Sequence, residues 1–383
     1  MSKLSIWSYP TRVVFGAGAA HETGTEAKRL GARKALLVTD KGVVAAGLLA
    51  PIEASLRTAG VEVAIFDTVE PNPIEKNVHD GVAAFRDAAC DLIVAVGGGS
   101  PLDVGKIIRL KARPGAHERP LVDYDDATGG DAYVTSNVPP MLALPTTAGT
   151  GSEVGRSGVV TLDANHRKTV IFSPHLMPSA ALLDPELTLT MPARTTAATG
   201  FDALTHCLEA FVSIGDHPMA DAIALGGLRL VAAHLTRVVA HPSDVAARGA
   251  MMKAAMMGAV AFQKGLGACH SLAHPLSNVC GLHHGLANAL CLPAVVEYNA
   301  KVAEAALGEA ASALGAERSS RALAARLREI RREIGLPDGL AAAGVKPEHL
   351  RPLADGAIED ACHRSNPRPC TRADLLALYE ASM

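Results

Sequence analysis

Histidines are unevenly spread along this 383-residue chain. The stretch GACHSLAHPLSNVCGLHHG, residues 267–285, holds four of the fifteen: His270, His274, His283 and His284. Ligating a metal is a leading use of neutral imidazole, and the glycines between these histidines leave room for close approach. A second segment, GFDALTHCLEA (residues 200–210), sets Asp202 and His206 four apart, which stacks both on one face of a helix. Joined with His270 and His284, they make one carboxylate and three imidazoles without a thiolate. That donor set suits Fe(II), Zn(II) or another divalent first-row ion. His283 adjoins His284, and spacing alone does not say which of the two faces the ion. His274 is one imidazole too many for a four-ligand set, and is cast as a proton relay or as a partner standing behind the ligands. Pro275 disfavours α conformation at His274, so the helix carrying His270 is expected to end or kink there. The chain then loops through 278–281 and presents His284 ahead of the helix GLANALCLPAVVEYNA. The other histidines, such as His21, His79, His166, His234, His241 and His349, are scattered and read as surface or packing residues.

Two kinds of chain must position these groups. In the first half, the apolar runs 35–39 (ALLVT), 61–66 (VEVAIF), 92–96 (LIVAV) and 141–144 (MLAL) read as buried strands. They alternate with helical spacing such as that of 74–89. This alternation implies a parallel sheet covered on both faces. After about Asp184 the pattern changes, with Pro185 and Pro192 marking the changeover. Long Ala- and Leu-rich stretches follow at 219–234, 245–266, 286–307 (with a kink expected at Pro293) and 319–334. The fold class expected is α/β plus all-α: a Rossmann-like dinucleotide-binding domain over 1–188 and a helical metal-binding domain over 189–383. A cleft between two such domains is the natural place for a site.

Three glycine-bearing segments stand in the first half. GAGAAH (16–21) begins like a dinucleotide fingerprint but has His21 where the third glycine belongs, and it reads as a turn. VGGGSPLDVGK (96–106) is better placed, since it follows the strand LIVAV and leads into a helix. Its glycines let backbone N–H groups approach an anion at a helix N-terminus, with Ser100 expected to cap the helix and Pro101 to open it. PTTAGTGSEVG (145–155) follows another strand and offers hydroxyls and glycines to a phosphate or ribose. Asp40 ends the strand KALLVTD, where a carboxylate can accept both ribose hydroxyls of an adenine nucleotide and repel a 2′-phosphate. The same residue reads equally well as an ordinary turn aspartate.

Composition removes several function classes. Lys plus Arg number 36 against 39 Asp plus Glu, a formal charge of −3, so no basic excess points to nucleic acid. Aromatic residues are 3% of the chain, too few for a base-stacking surface. No run of about 18 strongly apolar residues suggests a membrane span, and the start, MSKLSIWSYPTRVVFG, lacks the apolar core of a secretory signal. The seven cysteines form no CxxC pair and are odd in number. They suit reduced thiols in the cytoplasm.

The blocks GGGSPLDVGK, PTTAGTGSEV, GFDALTHCLEAF and GLGACHSLAHPL…LHHGLANALCLP together resemble the signature blocks of the iron-dependent (group III) alcohol dehydrogenases, in order and spacing and over nearly the whole chain. The resemblance implies an NAD-linked oxidoreductase acting on CH–OH groups, with Asp202, His206, His270 and His284 as metal ligands and His274 as the catalytic histidine behind them. It implies a cofactor site at Asp40, Asn72, Gly98, Gly99, Ser100, Asp103, Thr146, Thr147 and Lys168. It also implies Fe(II), or alternatively Zn(II), as the ion, a dehydroquinate synthase-like fold and a homodimer, with a small alcohol or aldehyde as the only other partner. Details such as LLVTDKGVVAAG, AFQKGLG before His270, GLHHG, and the tail residues Cys362, His363, Asn366 and Pro367 are most similar to 4-hydroxybutyrate dehydrogenases. Lys264, if it reaches the cleft, would pair with a substrate carboxylate and select an ω-hydroxy acid. The alternative on the same fold is a dehydroquinate synthase-like lyase using a metal and NAD without net redox turnover.

Overall fold

Successive residues of the central strands point to opposite faces of one sheet, and both faces are apolar. Leu36, Val38, Ile93, Ala95, Met141 and Ala143 enter one buried cluster. Their neighbours Ala35, Leu37, Leu92, Val94, Leu142 and Leu144 enter another. The period of two is that of extended chain, and burial on both sides is what a parallel sheet under two helical layers requires. The computed structural model describes residues 11–164 and 166–383. The segment MSKLSIWSYP, most of the stretch read above for a secretory signal, lies outside them.

The elements of the first unit are β1 (Arg12–Phe15), α1 (Thr23–Arg29), β2 (Lys34–Val38), α2 (Lys41–Ala45), α3 (Ala50–Thr58), β3 (Glu62–Phe66), α4 (Glu75–Asp87), β4 (Leu92–Gly97), α5 (Gly99–Lys111), β5 (Met141–Pro145), β6 (Ser157–Thr161), β7 (Lys168–Phe172) and β8 (Ala180–Leu183). Among the described residues the main sheet has six strands in the order β1-β8-β5-β4-β2-β3, every pair parallel. The four strands expected from apolar runs are β2 to β5, but β3 is corrected from a buried strand to an edge strand in which only Phe66 is buried. Not foreseen were β1 and β8, four residues each, and the antiparallel pair β6–β7. The chain passes from β2 outward to β3 and then returns to lay β4 on β2's other side. Such a reversal opens a crevice at the strands' carboxyl ends, where open α/β sheets hold their ligands. Thr39 Oγ1 donates to Val96 O at 2.8 Å and ties those two ends together.

The described residues divide into two compact units, 11–147 with Gly151–Thr190, and Met191–Met383 with Ala148–Thr150. The second is helical: α6 (Ala193–Val212), α7 (Pro218–Ala240), α8 (Val245–Ala261), α9 (Ala268–Cys280), α10 (His284–Ala313), α11 (Ser320–Glu333), α12 (Leu350–Glu359) and α13 (Arg372–Ala381). Two proline expectations are corrected. α9 does not stop at His274 but runs through Pro275 to Cys280, and Gly281 closes it at φ 65°. Gly356 of α12 leaves room for the Pro275 ring, while the Tyr379 hydroxyl donates to Leu272 O at 2.7 Å. Tertiary contacts thus offset the local penalty. α10 likewise continues through Pro293, and its one non-helical residue is Ala303. The carbonyl that Pro293 cannot serve, Ala289 O, accepts from Arg331 Nη1 at 3.5 Å.

α7 and the stretch Val245–Lys264, which contains α8, are long and apolar enough to cross a membrane by length and composition, with mean hydropathies of 1.4 and 1.2. Their small residues raise hydropathy without forming an unbroken apolar run, and α7 and α8 pack on α6 and on each other.

Candidate metal centre and nucleotide loops

α6 carries Asp202 and His206 one turn apart, both buried, and α9 and α10 bring His270 and His284 to the same point. The four residues each offer one donor atom, and these atoms lie within 4.8 Å of one another. His284 Nε2 stands 3.5 Å from Asp202 Oδ1, and His206 Nε2 stands 3.9 Å from it. The rings of His206 and His270 stack at 4.8 Å. Gly285 lets α10 begin this close to α6, since a Cβ there would lie 2.1 Å from Ala198 O. His283 sits just outside α10 as its N-cap and is exposed.

The donor set fits a divalent cation. His270 Nε2 is buried without a hydrogen-bond partner among the described residues. Leaving a buried polar atom unsatisfied costs about 1–3 kcal/mol, a cost that coordination removes. Burial pushes His270 and His284 well below the ordinary histidine range, which keeps them neutral with lone pairs free. An ion bound at about 2.1 Å has donor atoms about 3.4 Å apart, so a modest contraction of this cluster suffices.

Three residues that sequence reasoning missed hold the set in place. His270 Nδ1–H donates to Glu209 Oε2 at 2.5 Å. Glu209 also accepts the amides of Cys269 at 2.7 Å and His270 at 3.3 Å, which caps the otherwise uncapped start of α9. Gly267 permits this, as a Cβ there would lie 2.6 Å from Glu209 Oε1. Burial pushes the Glu209 carboxyl up to about 7, against those amides. Asn288 Nδ2 donates to Asp202 Oδ1 at 2.8 Å. His274 Nδ1–H donates to Asp360 Oδ2 at 2.7 Å, and its ring stacks on His284 at 5.2 Å. A periodic reading could have found Glu209, which follows His206 by three on the same helix. Asp360 has no such signal.

In the first unit the nucleotide candidates gather at neighbouring strand ends. Asp40 follows β2, Gly98 to Ser100 follow β4, and Thr146 and Thr147 follow β5, with Thr146 N donating to Gly97 O at 2.9 Å. Asp40 Oδ1 accepts from Val43 N at 2.9 Å and so caps α2. Asn72 is exposed. α5 opens at Gly99 with Gly98 as its N-cap, which corrects the assignment of the cap to Ser100. Ser100 Oγ donates instead to Pro71 O at 2.8 Å. Asp103 Oδ1 accepts from Ser152 Oγ at 2.6 Å and Oδ2 from Val159 N at 3.1 Å, so this carboxylate braces the 151–159 segment against α5. Lys106, fully buried, donates to Ser152 Oγ and Ser157 O at 2.7 Å each. Lys168, partly buried, begins β7. GAGAAH forms a turn whose Gly18 and Ala20 amides donate to Asp184.

Lys264 is placed otherwise than a substrate-facing ammonium requires. Its side chain is 5% exposed, and Nζ is held by Asp221 Oδ1 at 2.5 Å and Phe211 O at 2.8 Å. The charge is satisfied internally, so selection of a carboxylate by this lysine is not carried forward.

The profile of the iron-containing alcohol dehydrogenases matches residues 10–185, and that of the C-terminal part of the Fe-containing alcohol dehydrogenase family matches 196–383. The chain is 41% identical to a 4-hydroxybutyrate dehydrogenase of Cupriavidus necator, over 98% of this chain and 99% of that one. It is 38% identical to an NAD-dependent methanol dehydrogenase of Bacillus methanolicus, over 98% of each. A solved 1,3-propanediol oxidoreductase superposes with a TM-score of 0.94 at 39% identity, each chain covered in full. These relatives oxidise or reduce alcohols, and the lyase alternative is set aside. The chain belongs to the iron-containing alcohol dehydrogenase family and is an oxidoreductase acting on alcohols.

Proposed function

We propose that the chain is a metal-dependent, NAD-linked dehydrogenase that interconverts primary alcohols and aldehydes. The observation that carries this reading is the convergence of Asp202, His206, His270 and His284, with His270 Nε2 buried and without a hydrogen-bond partner among the described residues. These four would hold the divalent ion, Fe(II) or Zn(II). A bound ion there supplies Lewis acidity to the substrate oxygen, and NAD supplies the hydride acceptor. Glu209 fixes the tautomer of His270 by taking its Nδ1–H, which leaves Nε2 as the donor lone pair. Asp360 does the same for His274, so its Nε2 is the base that takes the alcohol proton, directly or through water, and returns it in reduction. Gly98, Gly99 and Ser100 at the N-terminus of α5, with Thr146 and Thr147 beside them, would receive the nucleotide's phosphates. Asn72 and Lys168 would join that site, and Asp103 would act by bracing the loop. Asp40 would accept the ribose hydroxyls and disfavour a 2′-phosphate.

The named relatives act on 4-hydroxybutyrate, methanol and 1,3-propanediol, which keeps the substrate at the level of small primary alcohols, ω-hydroxy acids such as 4-hydroxybutyrate included. All seven cysteines are unpaired, which accords with a reducing cytoplasm. The test is a panel of alcohols, diols, ω-hydroxy acids and aldehydes with NAD and NADP in parallel, after reconstitution with Fe(II) or Zn(II). Metal-dependent NADH formation with at least one primary alcohol is expected. A chain that binds the ion and the nucleotide yet turns over none of them would refute it.

A further inference from the structure

Three donor atoms outside the four-residue set also converge. His274, Asp360 and Cys362 each offer one, and these lie within 4.8 Å of one another. The grouping is built by α9, the end of α12 and the turn that follows it. His274 stands on α9, while Asp360 is the C-cap of α12, and a short turn begins two residues later at Cys362. Asp360 joins them, because its Oδ1 accepts from Ser271 Oγ of α9 at 2.7 Å and from the Cys362 amide at 2.8 Å. Its Oδ2 faces His274 Nδ1 at 2.7 Å. The His274 side chain is 38% exposed and Cys362 is partly exposed, so solvent ions reach them. The two donor sets differ in kind: the first has oxygen and nitrogen only, and this one adds sulfur. Thiolate selects Zn(II) and softer ions over hard ones, and three protein ligands leave a position for water.

We propose that His274, Asp360 and Cys362 form a second cation site, specific for thiophilic divalent ions such as Zn(II), Cd(II) or Co(II). On binding, the Cys362 S–H bond breaks, its electron pair forms the metal–sulfur bond, and the proton leaves to solvent. His274 gives up its Nδ1–H bond to Asp360, ligates through Nδ1, and carries its hydrogen on Nε2 instead. The Asp360 carboxylate, released from His274, coordinates through Oδ2. One proton is released per ion, and the thiolate and carboxylate balance its charge. The consequence for turnover rests on the function proposed above: with hydrogen on Nε2, His274 no longer accepts the alcohol proton. An ion here therefore inhibits without displacing the one held by Asp202, His206, His270 and His284.

The test is independent of turnover. Cobalt(II) is titrated into the purified, reduced, metal-free chain while the ultraviolet sulfur-to-cobalt charge-transfer band is followed. The first donor set contains no sulfur, so it contributes nothing to the band. The band is expected to grow with the second bound equivalent. Cys362→Ser is expected to lose the band and that equivalent while keeping the first. His274→Ala is expected to need at least tenfold more cobalt. Cys280→Ser serves as control, because Cys280 Sγ lies 3.7 Å from His349 Nδ1 and is the rival thiol–imidazole pair; it should leave the band intact. No band in the unaltered chain, or one that survives Cys362→Ser, overturns the proposal. A chain that oxidises alcohols but shows no band refutes this site alone. A chain that shows the band but oxidises none refutes the function alone.

Discussion

Glu209 Oε2 and His270 Nδ1 stand 2.5 Å apart, with both side chains almost wholly buried. The carboxylate behind the imidazole sets which ring nitrogen remains free. Glu209→Gln keeps the shape but turns an N–H donor toward the amides of Cys269 and His270. Metal affinity should fall about tenfold to a hundredfold, the usual cost of losing such a partner. Competition with a metal indicator measures it. Unchanged affinity would assign Glu209 to helix capping only.

Asp40 has one oxygen committed to capping α2. Asp40→Ser preserves a capping oxygen and removes the charge. The ratio of kcat/KM with NADP to that with NAD should rise about tenfold or more, since the carboxylate is what repels the 2′-phosphate. A ratio that does not move would make Asp40 a structural residue.

Lys264 and Asp221 form an ion pair in which the lysine is buried and the aspartate a third exposed. Lys264→Met should cost about 1–3 kcal/mol of stability, less than a fully buried pair because solvent screens Asp221. It should leave unchanged the ratio of kcat/KM for 4-hydroxybutyrate to that for butanol. A selective loss with the hydroxy acid would return this lysine to the substrate site. Urea titration and steady-state kinetics on the same variant decide both points.

Glu153 lies buried beside the brace formed by Asp103, Lys106 and Ser152, and burial pushes its carboxyl up to about 7 from 4.5. Its folded value is raised, so between those values the folded chain holds more protons than the unfolded one. Stability therefore declines as pH rises from about 4.5 to about 7 and is flat beyond, by about 3 kcal/mol at full effect. Glu153→Gln removes this dependence. Relative to the unaltered chain it should gain stability at pH 8 and little at pH 5, read from urea midpoints. Equal differences at both pH values would contradict the assignment.

How far the sequence carried the account follows from the range of the forces involved. Asp202 and His206 were visible because a helix repeats its faces every three or four residues. β2, β4 and β5 were visible because strands buried on both faces read as unbroken apolar runs, and β3 by its apolar residues around Glu62. β1, at the sheet edge, and β8, between β1 and β5, escaped because four residues carry too little pattern. Pro275 and Pro293 misled because the local penalty was read without the partners that offset it, Gly356 and Tyr379 in one case and Arg331 in the other. Asp360 and Asn288 have no local signature, as their partners are 86 residues away. Lys264 read as a substrate contact because its true partner, Asp221, lies 43 residues upstream.

We propose that one ion held by Asp202, His206, His270 and His284 governs alcohol oxidation. The direct measurement is metal content and NADH formation in the same samples: metal-free chain, chain reloaded with Fe(II), and His270→Ala treated alike. Activity is expected to return with the ion. His270→Ala is expected to lose about a thousandfold or more, together with weakened retention of the ion. Undiminished oxidation by the metal-free chain, or a His270→Ala variant that holds the ion as tightly as the unaltered chain, would contradict it.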